Sequence, residues 1–120
     1  MVSTAFRDIP MNAISKIAFF AARRGEEARL GQQLLALVTP SRLEPGSLRY
    51  EIFQDAADDG LWIVIEDWRS AADFDLHMAT DYVQAFLRQV PELCDGEPDI
   101  RTYQKRSTTR PPFAPDTYQR

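Results

Sequence analysis

The chain contains one histidine, His77, and aromatic residues recur in the segments around it. An imidazole has a reference pKa of about 6.5, so His77 is suited to act as a general base or hydrogen-bond donor near neutral pH. Trp68 and Tyr82 could orient a ring and stabilise an oxyanion beside it. Alternation along the segment that ends at Trp68 puts Glu66 on the same face, where it could orient His77. These residues together predict acid–base chemistry on a small molecule.

The predicted pocket is walled by aromatic side chains. Tyr50 comes from a neighbouring strand, and Phe74 and Phe86 come from two helical segments. An apolar aromatic cavity with few polar groups is typical of a site that binds a flat aromatic ligand. The alternative is that these side chains fill the core and leave no cavity, with His77 as a hydrogen-bonded core residue. On that reading, Glu66 would pair with an arginine such as Arg49 or Arg69.

Common cofactor and metal motifs are absent from the sequence. It has no G-x-G-x-x-G, P-loop, C-x-x-C or H-E-x-x-H pattern. One histidine and one cysteine, Cys94, cannot supply an intrachain zinc site of the usual kinds. The acidic run of Asp55, Asp58 and Asp59 lacks the ligand spacing of a calcium loop and reads as a solvated turn. The sequence therefore shows no common nucleotide-binding motif and no intrachain zinc site of the usual kinds.

The net charge and the lengths of the apolar segments limit the kinds of partner that the sequence predicts. The formal net charge is −4 and no basic stripe is present, so we expect no nucleic-acid partner. The longest apolar runs, 17–22 and 61–65, are far shorter than the roughly 20 residues that span a membrane. Residues 1–12 show no apolar region of the kind that secretory signals carry. These features predict a cytoplasmic protein whose partner is a small molecule.

Strand and helix patterns alternate along the chain. Strands are predicted at 14–22, 48–55, 61–68 and 100–103, with a polar turn at 55–60 that joins the middle two. One helix follows from the stripe Leu30, Leu34, Leu37 and Val38, and Pro40 should kink or end it near Thr39. Ser70 and Thr80 are candidate N-caps of two further helical segments, and Pro91 should end the second.

This order is β-α-β-β-α-β, which predicts a ferredoxin-like α+β fold with an antiparallel sheet. The ferredoxin-like domain should span residues 14–105. Residues 1–13 form an N-terminal arm, and the proline- and arginine-containing residues 106–120 form a C-terminal tail that is extended or wraps a neighbour.

The first and third strands predict a second copy of the chain as a partner. Both helices of this fold cover one face of the sheet, so strands that face water on the other side should alternate. Residues 17–22 and 61–65 are instead apolar throughout. Since soluble monomers avoid large exposed apolar patches, we expect a homodimer that pairs through the sheet face. Cover by the tail or the N-terminal arm is the alternative.

Three segments resemble the antibiotic biosynthesis monooxygenase family. They are Pro45–Glu51, Ile65–Ser70 and Asp75–Thr80, which match an approximate P-G-x-x-x-Y-E, a strand ending E-x-W, and a helix carrying A-H-x-x-T/S. The resemblance covers about residues 14–105. It implies a dimeric α+β barrel built from two ferredoxin-like sheets. The better-known members are small quinol or anthrone monooxygenases that use neither metal nor flavin.

The resemblance extends to single residues. His77 matches the helix histidine of the family and Trp68 matches its strand-end tryptophan. A second histidine often follows in the family, and Tyr82 replaces it here. Haem-degrading relatives carry an axial histidine at the position where this chain has Leu87, which argues against haem degradation.

The resemblance therefore implies a cofactor-independent monooxygenase that oxidises a small quinol, anthrone or related polyphenol with O2. Two alternatives stay open. One is a cofactor-free isomerase of the same fold in which His77 shuttles a proton. The other is a non-catalytic ligand-binding or structural dimer, since fold alone does not fix function.

Overall fold

The computed structural model describes residues 11–107, which form a four-stranded antiparallel sheet covered by helices. Residues 1–10 and 108–120 lie outside the described residues. The predictions of an N-terminal arm and of a proline-containing tail, and the proposal that either covers the sheet, fall almost entirely on those two segments.

Eight elements keep the predicted β-α-β-β-α-β order, with two helices in each helical part. They are β1 (Ile14–Ala21), α1 (Glu27–Ala36), α2 (Val38–Arg42), β2 (Ser47–Gln54), β3 (Leu61–Trp68), α3 (Ala71–Met78), α4 (Asp81–Leu93) and β4 (Asp99–Tyr103). The sheet order is β2-β3-β1-β4, with β1 and β3 in the centre. The ferredoxin-like α+β prediction is confirmed.

The strand register decides which side chains face the helices. Ala18 of β1 lies opposite Val64 of β3 and Ile100 of β4, and Ile52 of β2 lies on the other side of Val64. Paired residues of neighbouring strands project to the same face. The buried helical residues Leu30, Leu34, Phe86, Val90 and Leu93 pack against this face in a single core.

Two prolines lie inside helices rather than after them. The first helical stretch breaks at Leu37, and Pro40 lies in the first turn of α2. The first backbone N–H groups of a helix have no acceptor within the helix, so a proline at this position removes no helical hydrogen bond. The prediction that Pro91 ends the last helix is wrong, because α4 continues to Leu93. Leu93 is fully buried, and the Cys94 N–H donates to the Val90 carbonyl at 2.8 Å, which keeps the last turn helical.

The opposite face of the sheet, which we call the open face, is also apolar. Its central side chains are Ile17, Phe19, Phe53, Ile63 and Ile65, which the register places together. The apolar runs of β1 and β3 therefore contribute to both faces, as their lack of alternation predicted. No helix within residues 11–107 combines the length and the apolar character needed to cross a membrane.

Candidate active site

His77 lies in the last turn of α3 and is almost fully buried. The helix begins at Ser70, whose hydroxyl accepts a hydrogen bond from the Asp73 N–H at 3.1 Å. Its end is fixed by Thr80, whose hydroxyl donates to the His77 carbonyl at 2.7 Å. His77 itself is only 2% exposed. The capped helix therefore points the single imidazole of the chain into the protein interior.

Aromatic rings surround the imidazole. The ring centroid of His77 lies 4.6 Å from Trp68, 5.5 Å from Tyr50 and 6.2 Å from Phe74. Phe86 lies deeper and contacts Phe20 edge to face at 5.7 Å. The structure thus brings together the aromatic residues that the sequence predicted, although their roles remain predictions.

The nearest acidic group to His77 is Glu44, which sequence reasoning missed. Glu44 Oε2 lies 2.8 Å from His77 Nδ1, and the Tyr82 hydroxyl donates a short hydrogen bond to the same oxygen. Glu44 precedes the Pro45-Gly46 turn, and the sequence indicated only an interruption of regular secondary structure there. It lies 33 residues before His77, so no local spacing could reveal the pair.

Gly46 holds the turn that carries Glu44 against α3. Its carbonyl accepts a hydrogen bond from the Arg69 N–H at 2.8 Å. A Cβ at Gly46 would lie 2.4 Å from the side chain of Asp73, so a larger residue would push the turn away from the helix. The glycine therefore allows the close approach that brings Glu44 to His77.

Glu66 lies on the other side of the imidazole. The Trp68 indole N–H donates to Glu66 Oε1 at 2.8 Å, and His77 Nε2 lies 3.7 Å from the same oxygen. That separation exceeds hydrogen-bond length, so Glu44 rather than Glu66 orients His77. The arginine pairing considered for Glu66 is wrong, because Arg49 pairs with Glu51 and Arg69 pairs with Asp73.

Burial shifts the protonation equilibria of the site. It raises the pKa of Glu66 to about 7, with the Trp68 hydrogen bond opposing the shift. It lowers the pKa of His77, which the Glu44 carboxylate opposes. Burial together with Glu44 raises the pKa of Tyr82 to about 12, and burial raises the pKa of Tyr50. Near neutral pH, His77 is therefore a neutral base beside two neutral phenols and the partly protonated carboxyl group of Glu66.

A cavity of about 40 Å³ lies beside these groups. Its walls include five of the predicted site residues, which are Tyr50, Glu66, Phe74, His77 and Phe86. Trp68 packs behind His77, and Tyr82 reaches His77 only through Glu44. The aromatic side chains therefore leave a void beside the imidazole rather than filling the core completely.

The part of the chain from 11 to 107 holds no group of three or more His, Cys, Asp or Glu residues that could bind a metal ion. The polar groups of the cavity are an imidazole, a carboxyl group and a phenol. These groups transfer protons and donate or accept hydrogen bonds.

A comparison with known protein families identifies the family of the chain. The sequence profile described as antibiotic biosynthesis monooxygenase matches residues 13–89, which is more than half of the chain. The chain belongs to the antibiotic biosynthesis monooxygenase family. Membership gives a monooxygenase-like function in general terms, as the resemblance implied.

Individual members of the antibiotic biosynthesis monooxygenase family and related proteins differ in how much they share with this chain. The crystal structure of PA3566 from Pseudomonas aeruginosa is 32% identical, superposes with a TM-score of 0.76, and aligns over 80% of this chain and 96% of that one. "Putative monooxygenase Rv0793" from Mycobacterium tuberculosis is 31% identical over 67% of this chain and 78% of its own length. Protein sll1783 from Synechocystis is 32% identical over 59% of this chain, and the match spans about half of that protein, 48%.

Proposed function

We propose that the protein is a cofactor-independent monooxygenase that oxidises a small quinol, anthrone or related polyphenol with O2. One observation carries the proposal: His77 Nδ1 is held by Glu44, and the His77 and Glu66 side chains line an apolar aromatic cavity. A neutral imidazole anchored at one nitrogen can use the other as a base.

The proposed reaction begins with proton removal. Dioxygen is a triplet and reacts slowly with closed-shell molecules, whereas an electron-rich phenolate or carbanion can transfer one electron to it without a cofactor. His77 Nε2 takes the proton from the substrate hydroxyl or ring CH2 group. One oxygen atom then forms a carbonyl at the ring carbon, the other leaves as water, and the substrate loses two hydrogens.

The walls of the cavity position the substrate and exclude water. Tyr50 keeps its proton because burial raises its pKa, so its hydroxyl is a donor for a developing oxyanion. Phe74 and Phe86 present ring faces and edges to a flat ligand. A cavity of about 40 Å³ holds only a few water molecules, so an aromatic substrate must displace partly exposed side chains such as Phe74 and Met78.

We propose a homodimer as the assembled form, with a second copy covering the open face. Phe53 on that face is 46% exposed, and Ile17, Phe19, Ile63 and Ile65 lie beside it. The rim carries paired charges of both signs, Arg49 with Glu51 on β2 and Arg101 with Asp99 on β4. Such a rim is complementary to itself about a two-fold axis, which favours a copy of the chain over a partner of one charge.

Oxygen consumption by the purified protein tests the proposed activity. A panel of hydroquinones and anthrones is supplied to protein from which metal has been removed by a chelator. We expect uptake that depends on protein and falls on the order of 10²-fold or more in His77→Ala, since a positioned base contributes about that much. Asp75→Asn, an exposed position on the same helix, is the matched control and should retain full activity.

A second candidate, an isomerase, is favoured by one feature of the site. Glu66, with a pKa of about 7, and His77 form a carboxyl–imidazole pair that could remove a proton at one carbon and return one at another. Oxygen would then play no part in the reaction. Turnover of an enolisable substrate under strictly anaerobic conditions would support the isomerase and contradict the monooxygenase.

A further inference from the structure

The neutral imidazole of His77 carries one proton, and two acidic side chains compete for it. Glu44 Oε2 lies 2.8 Å from Nδ1, within hydrogen-bond distance, whereas Glu66 Oε1 lies 3.7 Å from Nε2. The side chain of His77 is 3% exposed and that of Glu44 is 15% exposed. Since little water reaches the ring, the protein decides which nitrogen carries the proton.

We infer that Glu44 is a positioning residue that fixes the proton of His77 on Nδ1 and leaves Nε2 as the free base toward Glu66 and the cavity. The role of the freed Nε2 as base rests on the proposed function, whereas the position of the proton does not. The arrangement follows the logic of a carboxylate that selects the tautomer of a catalytic histidine in hydrolases.

Among the groups that face the ring, ionised Glu66 is the competitor of Glu44, but its Oε1 lies 3.7 Å from Nε2, beyond hydrogen-bond distance. Glu44 precedes β2, Glu66 and Tyr50 face the ring from β3 and β2, and Tyr82 approaches from α4. Near pH 7 part of the Glu66 population is protonated, which reduces the negative charge that would attract a proton to Nε2. Lys16 lies opposite Glu66 in the sheet, and its positive charge lowers the pKa of that carboxyl group.

Tyr82 takes part in the same hydrogen-bonded arrangement. Its hydroxyl donates to Glu44 Oε2, and its side chain does not line the cavity. A pKa of about 12 keeps that hydroxyl protonated, so it remains a hydrogen-bond donor to Glu44 at neutral pH. Tyr82, which the sequence predicted as a catalytic residue, therefore acts on the substrate only through Glu44 and His77.

Nitrogen NMR of the full chain can test the assignment without a substrate. His77 is the only histidine, so its two ring nitrogens give two resonances that need no assignment against other residues. Their shifts distinguish the Nδ1–H from the Nε2–H form. At about pH 8, we expect the wild-type protein to show Nδ1–H and Tyr82→Phe to show the same tautomer.

Glu44→Gln is the decisive variant. Its amide oxygen is a weaker acceptor than a carboxylate and its NH2 group can donate to Nδ1, so the share of the Nε2–H tautomer should rise. The pKa of His77 should also fall, because Glu44 is the group that raises it. Glu97→Gln, at an exposed position away from the site, removes the same charge and should change neither the tautomer nor the His77 pKa.

Two outcomes would overturn the inference: an Nε2–H tautomer in the wild-type protein, or identical ring-nitrogen shifts in wild type and Glu44→Gln. The wild-type measurement decides the matter even if the variant fails to fold. Oxygen uptake provides a separate readout. If no quinol or anthrone is oxidised but the proton lies on Nδ1, the proposed function fails while the positioning role of Glu44 stands.

Discussion

At the scale of single residues, Glu66 should give the protein an unusual dependence of stability on pH. Its pKa is about 7 in the folded chain and 4.5 in its reference state, so between these values the folded state holds a proton that the unfolded state has lost. Its stabilising contribution is complete below about pH 4.5 and is lost as the pH rises through 7. A difference of this size corresponds to about 3 kcal/mol.

Glu66→Gln should remove this dependence, because glutamine does not titrate and its carbonyl can still accept the Trp68 indole hydrogen bond. Urea unfolding of both proteins between pH 4.5 and 8 measures it. The wild type should lose stability relative to the variant as the pH rises. His77 acts in the opposite sense, since its lowered pKa costs stability below about pH 6.5, but it is present in both proteins and cancels. Parallel curves for the two proteins would contradict the prediction.

Sequence reasoning found the residues of the site unevenly. His77 and Trp68 were detectable because the histidine is unique in the chain and the segments around both residues match a family pattern. Glu44 was not detectable, because the local sequence of a glutamate before a Pro-Gly turn is the same whether its side chain faces solvent or an imidazole. Its position depends on the contact between Gly46 and Asp73, which exists only in the folded chain.

At the scale of elements, α1 packs closely against the sheet through Gly31. A Cβ at this position would lie 2.4 Å from the six-membered ring of Trp62. Gly31→Ala normally favours a helix by about 1 kcal/mol. Here we expect it to destabilise the protein by about 1–3 kcal/mol, because the ring must move within a packed core. Gln32→Ala, on the exposed side of the same helix, is the control and should cost less than 1 kcal/mol.

Chemical denaturation of the two variants measures this difference. A second change tests its cause, since the shorter ring in Trp62→Phe should relieve the overlap. The Gly31→Ala, Trp62→Phe double variant should then be more stable than the sum of the two single effects predicts. If the effects of the two single substitutions simply add, contact between the new methyl group and the Trp62 ring is not the cause of the change in stability.

Elements were predicted more reliably than their ends. The strands were recognisable from β-branched and aromatic runs, and β3 begins and ends where predicted. The end of α4 was predicted incorrectly, because the proline rule considers the missing N–H and not the tertiary contacts. Leu93 is buried beyond Pro91, and its burial extends α4 by two residues past the proline.

At the scale of the whole molecule, the open face should determine the oligomeric state. We expect the wild type to have twice the mass of the chain in light scattering or sedimentation. Ile63→Glu introduces a charge at the centre of the face, opposite Phe19 and Phe53, and should give monomers. Leu35→Glu, at an exposed apolar position on α1, is the matched control and should remain dimeric. A monomeric wild type, or a dimeric Ile63→Glu, would contradict the proposed assembly.

A monooxygenase places one atom of dioxygen in its product, so labelled dioxygen is the decisive probe of the proposed reaction. A quinol or anthrone that supports turnover is incubated with the protein under ¹⁸O₂, and the product is analysed by mass spectrometry. We expect one ¹⁸O atom in the product carbonyl and the other in water, with formation of labelled product strongly reduced in His77→Ala. Product that forms without the label, or equally well without oxygen, would contradict a monooxygenase and favour the isomerase.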